Sequence, residues 1–418
     1  MTSREKVQQV LSHKPVDGIA LDFGATPVTG IHVHCVDALR KHYGLTSGPV
    51  KVHEPYQMLG LIEADLQDAL GVDVEGVHAP NTMFGFPVDN WKPWTTPQGL
   101  DVLVPGDFNT TIDANGDILM HPLGDTSAPA CARMPKASYF FDAVIRQDPV
   151  DDAKLNPEDN LEEFGPITDN TLEYYRKECE LAVETGRAVI ANFGGTALGD
   201  IALVPGLNLL HPKGIRDISE WYISTLTRPD YVHAIFTRQV EIALENLAKI
   251  QAVVGNTVDA VFLCGTDFGT QASTFCSKDT FHTLWLPYYQ QINNWIHDNT
   301  TWKTFKHSCG AVETFLDSFI EAGFDIINPV QCTAAGMEAQ HLKDTYGDRL
   351  TFWGGGIDTQ TVLAFGTPDE VREQTLRRCE IFGKDGGFVY NSIHNIQANT
   401  PIDNLIALCD TIKSVNGN

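Results

Sequence analysis

The sequence predicts an α/β fold, a single (β/α)8 TIM barrel spanning residues 1–418 with a β-rich insertion near 81–140, and three observations lead there. From Thr171 onward, helical patterns alternate with short apolar runs, the rhythm of βα units around a parallel sheet. With Ile19–Phe23 and Val72–Val77 counted, the apolar runs number eight, which closes a barrel. Most runs end in small or polar residues such as Cys264-Gly-Thr-Asp267 and Gly354-Gly-Gly-Ile-Asp358, and a barrel gathers such ends on its catalytic face. A doubly wound open sheet is the alternative, but no GxGxxG opens a helix here.

Residues 3–12 read as a short helix before the first strand, and helical patterns follow at 36–43 and 57–70. Between 81 and 139, Pro, Gly, Asp and Asn break up short β-like pieces, and Asn115-Gly116 is a hairpin turn, so this stretch reads as an insertion or a small separate domain. The regular part pairs helix 171–185 with strand 188–192, helix 230–252 with 259–264, helix 280–298 with 302–306, and helix 312–322 with 325–330. Helix 336–346 then precedes strand 350–354, helix 368–383 precedes 388–391, and a last helix runs over 403–415.

A net charge of −25 argues against nucleic acid or an anionic membrane as partner. The N-terminus has no apolar h-region, and no apolar run reaches membrane-spanning length. Nine cysteines are scattered without CxxC pairs, which reads as a reduced, cytoplasmic protein.

The most informative stretch is Trp302–Gly310, an apolar run that ends in His307, Ser308, Cys309 and Gly310. Residues i and i+2 of a strand share a side, so His307 and Cys309 project together, and an imidazole beside a thiolate is half of a tetrahedral zinc site. In isolation the pair also fits a buried thiol next to a hydrogen-bonded core histidine.

The motif order Cys264-Gly-Thr-Asp-Phe-Gly-Thr-Gln271, His307-Ser-Cys-Gly310, Ile327-Asn-Pro-Val-Gln331, Leu342-Lys-x-x-Tyr-Gly347, Trp353-Gly-Gly-Gly-Ile-Asp358, Gly366-Thr-Pro-x-Glu-Val371 and His394-Asn-Ile-Gln397 resembles the uroporphyrinogen decarboxylase-like superfamily. Within it, the resemblance is to the zinc- and corrinoid-dependent methyltransferases, and it covers essentially the whole chain. The arginine-rich N-terminal motif of true decarboxylases is absent; Ala20-Leu-Asp-Phe-Gly-Ala-Thr26 stands there, and Arg4, Arg133 and Arg216 lie outside the strand-end motifs. The resemblance implies a metal held by His307, Cys309 and a third ligand on the last barrel strand. Where the family has Gly-Cys-Gly-Ile, this chain has Ile393-His-Asn-Ile396, so His394 takes the place of a cysteine, with Cys332 and Cys264 in reserve. His2Cys with one open position is a known catalytic zinc set.

The resemblance further implies zinc as cofactor and methyl transfer between a small-molecule donor or acceptor and a corrinoid. No Asp-x-His-x-x-Gly occurs here, so the corrinoid is expected on a separate corrinoid-binding protein; a homodimer is compatible with this reading. A more electrophilic His2Cys site favours demethylation of a methoxylated or methylated molecule. The alternatives are methyl transfer from the corrinoid to a thiol or tetrahydrofolate, and a metal-free decarboxylase. Asp22, Asp267 and Asp358 at strand ends are expected as acid/base or positioning groups, with helix or loop capping as the structural alternative. Asn328, Gln331 and Asn395 are expected to bind substrate. Trp91, Trp94 and Trp353 could wall a pocket, and His32 with His34 is a weak second metal pair lacking a carboxylate or thiol beside it.

Overall fold

The computed structural model describes residues 1–45 and 48–417. Among these, eight parallel strands make one sheet: β1 (Ala20–Leu21), β2 (Val74–Val77), β3 (Ala188–Ala191), β4 (Ala260–Cys264), β5 (Lys303–His307), β6 (Ile326–Asn328), β7 (Thr351–Trp353) and β8 (Phe388–Tyr390). Sequence neighbours pair from β2 through β8, and β8 pairs with β1, so the sheet curls into the expected nearly closed barrel surrounded by helices.

The seam between β1 and β2 is bridged by Asp73. Its N–H donates to Leu21 O at 2.8 Å, and its Oδ2 accepts from the Leu21 N–H at 3.0 Å. The Lys6 ammonium stands 2.9 Å from the same carboxylate. A paired, hydrogen-bonded carboxylate there does what a strand ladder does elsewhere in the barrel.

Strand alternation divides the buried apolar residues between two clusters. Ile190, Ala260, Phe262, Phe305, Ile326 and Val389 join Val7, Val10 and Leu11 of the first helix (Ser3–Leu11) in the smaller one. That helix, fixed by a Thr2–Glu5 capping box, therefore stoppers the barrel at the end opposite the strand-end motifs. Val189, Val261, Leu263 and Ile327 belong to the larger cluster beneath the outer helices.

The insertion is β-rich as predicted. It contains a hairpin of Lys92–Thr95 with Asp101–Val104 and a four-stranded antiparallel sheet of Thr110–Ile112, Ile118–Met120, Ala132–Met134 and Asp142–Ala143. Gly116 sits at the turn between Ile112 and Ile118 with φ +85. Phe84, Val102, Phe108 and Met120 share the larger apolar cluster with the barrel.

Local structure departs from the sequence reading in several places. The helix expected at 57–70 is confined to Ala64–Leu70, because Val52–Glu54 and Leu59–Gly60 pair as strands instead. The Glu54 carboxylate captures the N–H groups of Tyr56 and Gln57, and Met58 takes φ +56, so the chain turns where a helix would continue. The helix expected at 280–298 breaks at Trp285 into Lys278–Leu284 and Leu286–Asn299, with Pro287 in the first turn of the second. The 312–322 segment opens as a 3-10 turn (Glu313–Phe315) before Leu316–Glu321. A helix at Ile218–Thr227, capped by Asp217 on Glu220 N–H, was not anticipated. All nine cysteines are free. No helix among the described residues is long and apolar enough to cross a membrane.

Two expectations follow. Asp73→Ala should cost about 2–4 kcal/mol by leaving the Leu21 N–H and Lys6 without their partner, read as a lower denaturant midpoint. Asp22 is fully buried, and burial raises its carboxyl to about 6. The folded chain therefore holds that proton more tightly than the unfolded chain. This stabilisation is complete below roughly pH 4 and is lost as pH rises through 6. Melting temperature should accordingly fall between pH 5 and pH 8, and less steeply in Asp22→Asn.

Candidate metal and substrate site

His307 ends β5, and Cys309 follows two residues on. Their projection to one side is realised, with Cys309 Sγ 3.4 Å from His307 Nε2. Ser308, between them, and Lys306, just before them, face the other way. Ser308 Oγ accepts from Phe268 N–H at 2.9 Å, and the fully buried Lys306 ammonium donates to Thr266 O and His307 O at 2.5 and 2.6 Å. Gly310 has φ +89, and a Cβ there would lie 2.5 Å from Gly269 C, so glycine lets the β5 and β4 loops cross rather than opening space above the pair.

His307 is oriented by the neighbouring strand. β5 and β6 pair in a register that sets His307 opposite Asn328, and His307 Nδ1 lies 2.6 Å from Asn328 Oδ1. Asn328 Nδ2 donates to Trp353 O at 2.7 Å, which leaves Oδ1 as acceptor for the imidazole N–H. The Nε2 lone pair is thereby free and turned toward Cys309. Asn328, expected to bind substrate, has its amide turned to His307 and Trp353 O.

His394 follows β8, its ring 5.4 Å from that of His307 and tilted by 75°. Ligand atoms of His307, Cys309 and His394 lie within 4.8 Å of one another, the only such group of three among the described residues. A tetrahedral zinc with bonds of about 2.0–2.3 Å needs its ligand atoms about 3.3–3.8 Å apart, so the set fits after a modest contraction. His394 supplies most of it: its Nδ1 accepts the Asn395 N–H at 2.8 Å, and the ring must give up or turn from that bond to present a metal-binding nitrogen.

Burial holds His307 and His394 at about 4, so both rings are neutral and able to ligate near pH 7. Burial first, then the adjacent Asp267 carboxylate, keeps Cys309 a thiol, while the Lys306 charge acts in the opposite sense. A divalent ion would displace that thiol proton.

The three residues line a chamber of about 1030 Å³ between the strand ends and the insertion. Of the three predicted aspartates, Asp267 faces it, and its Oδ1 accepts Cys309 N–H at 2.7 Å. Asp22 lies outside the chamber lining, its oxygens accepting from Trp353 Nε1 at 2.8 Å and Ala25 N–H at 3.1 Å. Asp358 caps its own loop through Gln360 N–H and the Thr361 hydroxyl. Gln331 accepts Gly310 N–H, and Asn395 accepts Gly30 N–H while donating to Pro27 O and Gln57, so both fix loops. Trp91 lines the chamber; Trp94 packs on Phe108, and Trp353 is core. His32 caps a helix. Cys264 and Cys332 stand outside the ligand group.

The sequence reading missed Asp200, His53 and His78, all in the chamber lining. Asp200 is raised to about 6 by burial and by Asp267. His78 directly follows β2, so the strand-end criterion could have found it. Among the described lining residues there is no lysine or arginine. Arg4 pairs with Asp259, Arg216 with Glu163, and Arg133 with Asp117. If the three residues hold a divalent ion, Asn328→Ala should weaken its binding about 10–100-fold with the fold retained, which competition for zinc with a chelator of known affinity measures.

A family model described as uroporphyrinogen decarboxylase (URO-D) matches residues 144–415. Curated protein sequences give no match. Among solved structures, a methyltransferase from Methanosarcina mazei superposes with a TM-score of 0.54 at 12% identity, over 99% of this chain and 99% of that one. A D-psicose 3-epimerase aligns at TM-score 0.33 and 11% identity, over 59% of this chain and 85% of that one. An endo-glycoceramidase II from Rhodococcus sp. aligns at TM-score 0.33 and 12% identity, over 60% and 68%. At 12% identity the likeness to the methyltransferase is one of fold. The family match spans most of the barrel, including β5, β6 and the segment carrying His394, and the chain belongs to the uroporphyrinogen decarboxylase (URO-D) family.

Proposed function

We propose that this chain is a methyltransferase that takes a methyl group from a methoxylated or methylated small molecule and delivers it to the Co(I) corrinoid of a separate corrinoid-binding protein. A zinc ion bound by His307, Cys309 and His394 would supply Lewis acidity to the departing oxygen, and the corrinoid the nucleophile. The observation that carries this reading is the convergence of the three ligand side chains at the chamber wall.

The chain's own part is binding, orientation and charge. Asn328 fixes the His307 tautomer, and Asp267 holds the Cys309 backbone. Asp267 and Asp200 line the same chamber and would be the groups that exchange a proton with a leaving oxygen. Phe262, from the barrel interior, floors the chamber, so a substrate seats on an apolar base and the corrinoid protein docks over the open mouth. A cation-free lining argues against the polycarboxylate substrate of a decarboxylase.

Elemental analysis of wild type, Cys309→Ala and His394→Ala tests the reading. About one zinc per chain is expected, lost in both variants, together with methyl transfer from a methoxylated aromatic to a reduced corrinoid protein that both variants lose. Zinc retained in His394→Ala would move the third ligand elsewhere, and protein purified without metal and without transfer would overturn the proposal.

A further inference from the structure

His53 and His78 stand together in the chamber, their rings 5.0 Å apart, one from the strand Val52–Glu54 and the other just after β2. Neither side chain hydrogen-bonds to any described residue. Both residues are half-buried and line the cavity, so two adjacent imidazoles without a protein partner are open to a ligand there. Burial lowers His53 to about 3 and His78 to about 4. Each ring is thus neutral near pH 7 and offers one donor and one acceptor without positive charge.

The rest of the lining agrees in sign. Glu54, Asp142, Asp200 and Asp267 face the chamber without an ion-pair partner among the described residues, and Glu163 alone has one, Arg216. Tyr56, Trp91 and Phe140 add aromatic faces. At the histidine pair, away from His307, Cys309 and His394, a carboxylate or sulfonate would find no lysine or arginine and several carboxylates. A hydroxyl or an ammonium would find acceptors, donors and ring faces.

We propose that His53 and His78 hold the polar end of the substrate, and that the chamber selects a methyl ether whose remainder is uncharged or cationic and rejects an anionic one. This rests on the methyl-transfer reading above and names the substrate class for it.

Calorimetric titration of the full chain at pH 7.5 with 4-methoxybenzyl alcohol, 4-methoxybenzylamine and 4-methoxybenzoate tests it. The alcohol and the amine should bind at least about tenfold more tightly than the benzoate. His53→Ala and His78→Ala should each weaken the alcohol about fivefold or more at unchanged zinc content, and His78→Gln, which keeps a donor and an acceptor, should restore most of the loss. His53→Arg should reverse the order in favour of the benzoate. Benzoate binding as tight as the alcohol, no loss in either alanine variant, or no binding of any probe would overturn the proposal. If the affinity order holds while none of the three donates methyl to a corrinoid protein, the methyl-transfer reading fails and the charge selection by the chamber stands.

Discussion

The pairing register of β5 and β6 is the constraint on which the site depends. It sets His307 beside Asn328 at the end of two buried strands, where a 2.6 Å hydrogen bond fixes the ring and its proton. Slip that register by one residue and every side chain of β5 changes face; His307 would then turn to the helix layer that Lys306 now occupies. The Asn328 amide is itself held by Trp353 O on β7, and Trp353 Nε1 reaches Asp22 after β1. A chain of buried polar contacts thus runs from His307 across the barrel to its first strand, satisfied at every member.

Charge is the second organising feature. The sequence carries 54 acidic against 29 basic side chains, and the imbalance continues into the chamber, where the lining carboxylates meet no lysine or arginine. Lys306 is close but spent on backbone carbonyls, placing its charge behind the thiol rather than in the cavity. The site therefore combines neutral imidazoles, a thiol and carboxylates, a donor set for a divalent cation and a poor host for an anion.

The barrel was legible because its strands are short apolar runs between helical patterns and end in polar residues. His307 and Cys309 were legible for the same reason, since alternation alone sends both to one side. Asn328 was assigned to substrate because the sequence does not state the β5–β6 register that turns it toward His307. Asp22 and Asp358 sit at strand ends as anticipated, yet their oxygens go to Trp353, Ala25 and Thr361, partners that depend on tertiary packing. The 57–70 segment has helical periodicity, but the Glu54 carboxylate and the left-handed Met58 override it locally. His53 and His78 meet only because that segment folds back as a strand pair over the barrel mouth, a contact no local pattern announces.

Zinc-edge X-ray absorption on the purified chain tests the central claim most directly. A first shell of one sulfur at about 2.3 Å and two imidazole nitrogens at about 2.0–2.1 Å, completed by one light-atom ligand, is the result expected for His307, Cys309 and His394. Two sulfurs in that shell would bring Cys264 or Cys332 into the site and displace His394, and a shell of light atoms only would contradict metal binding at Cys309.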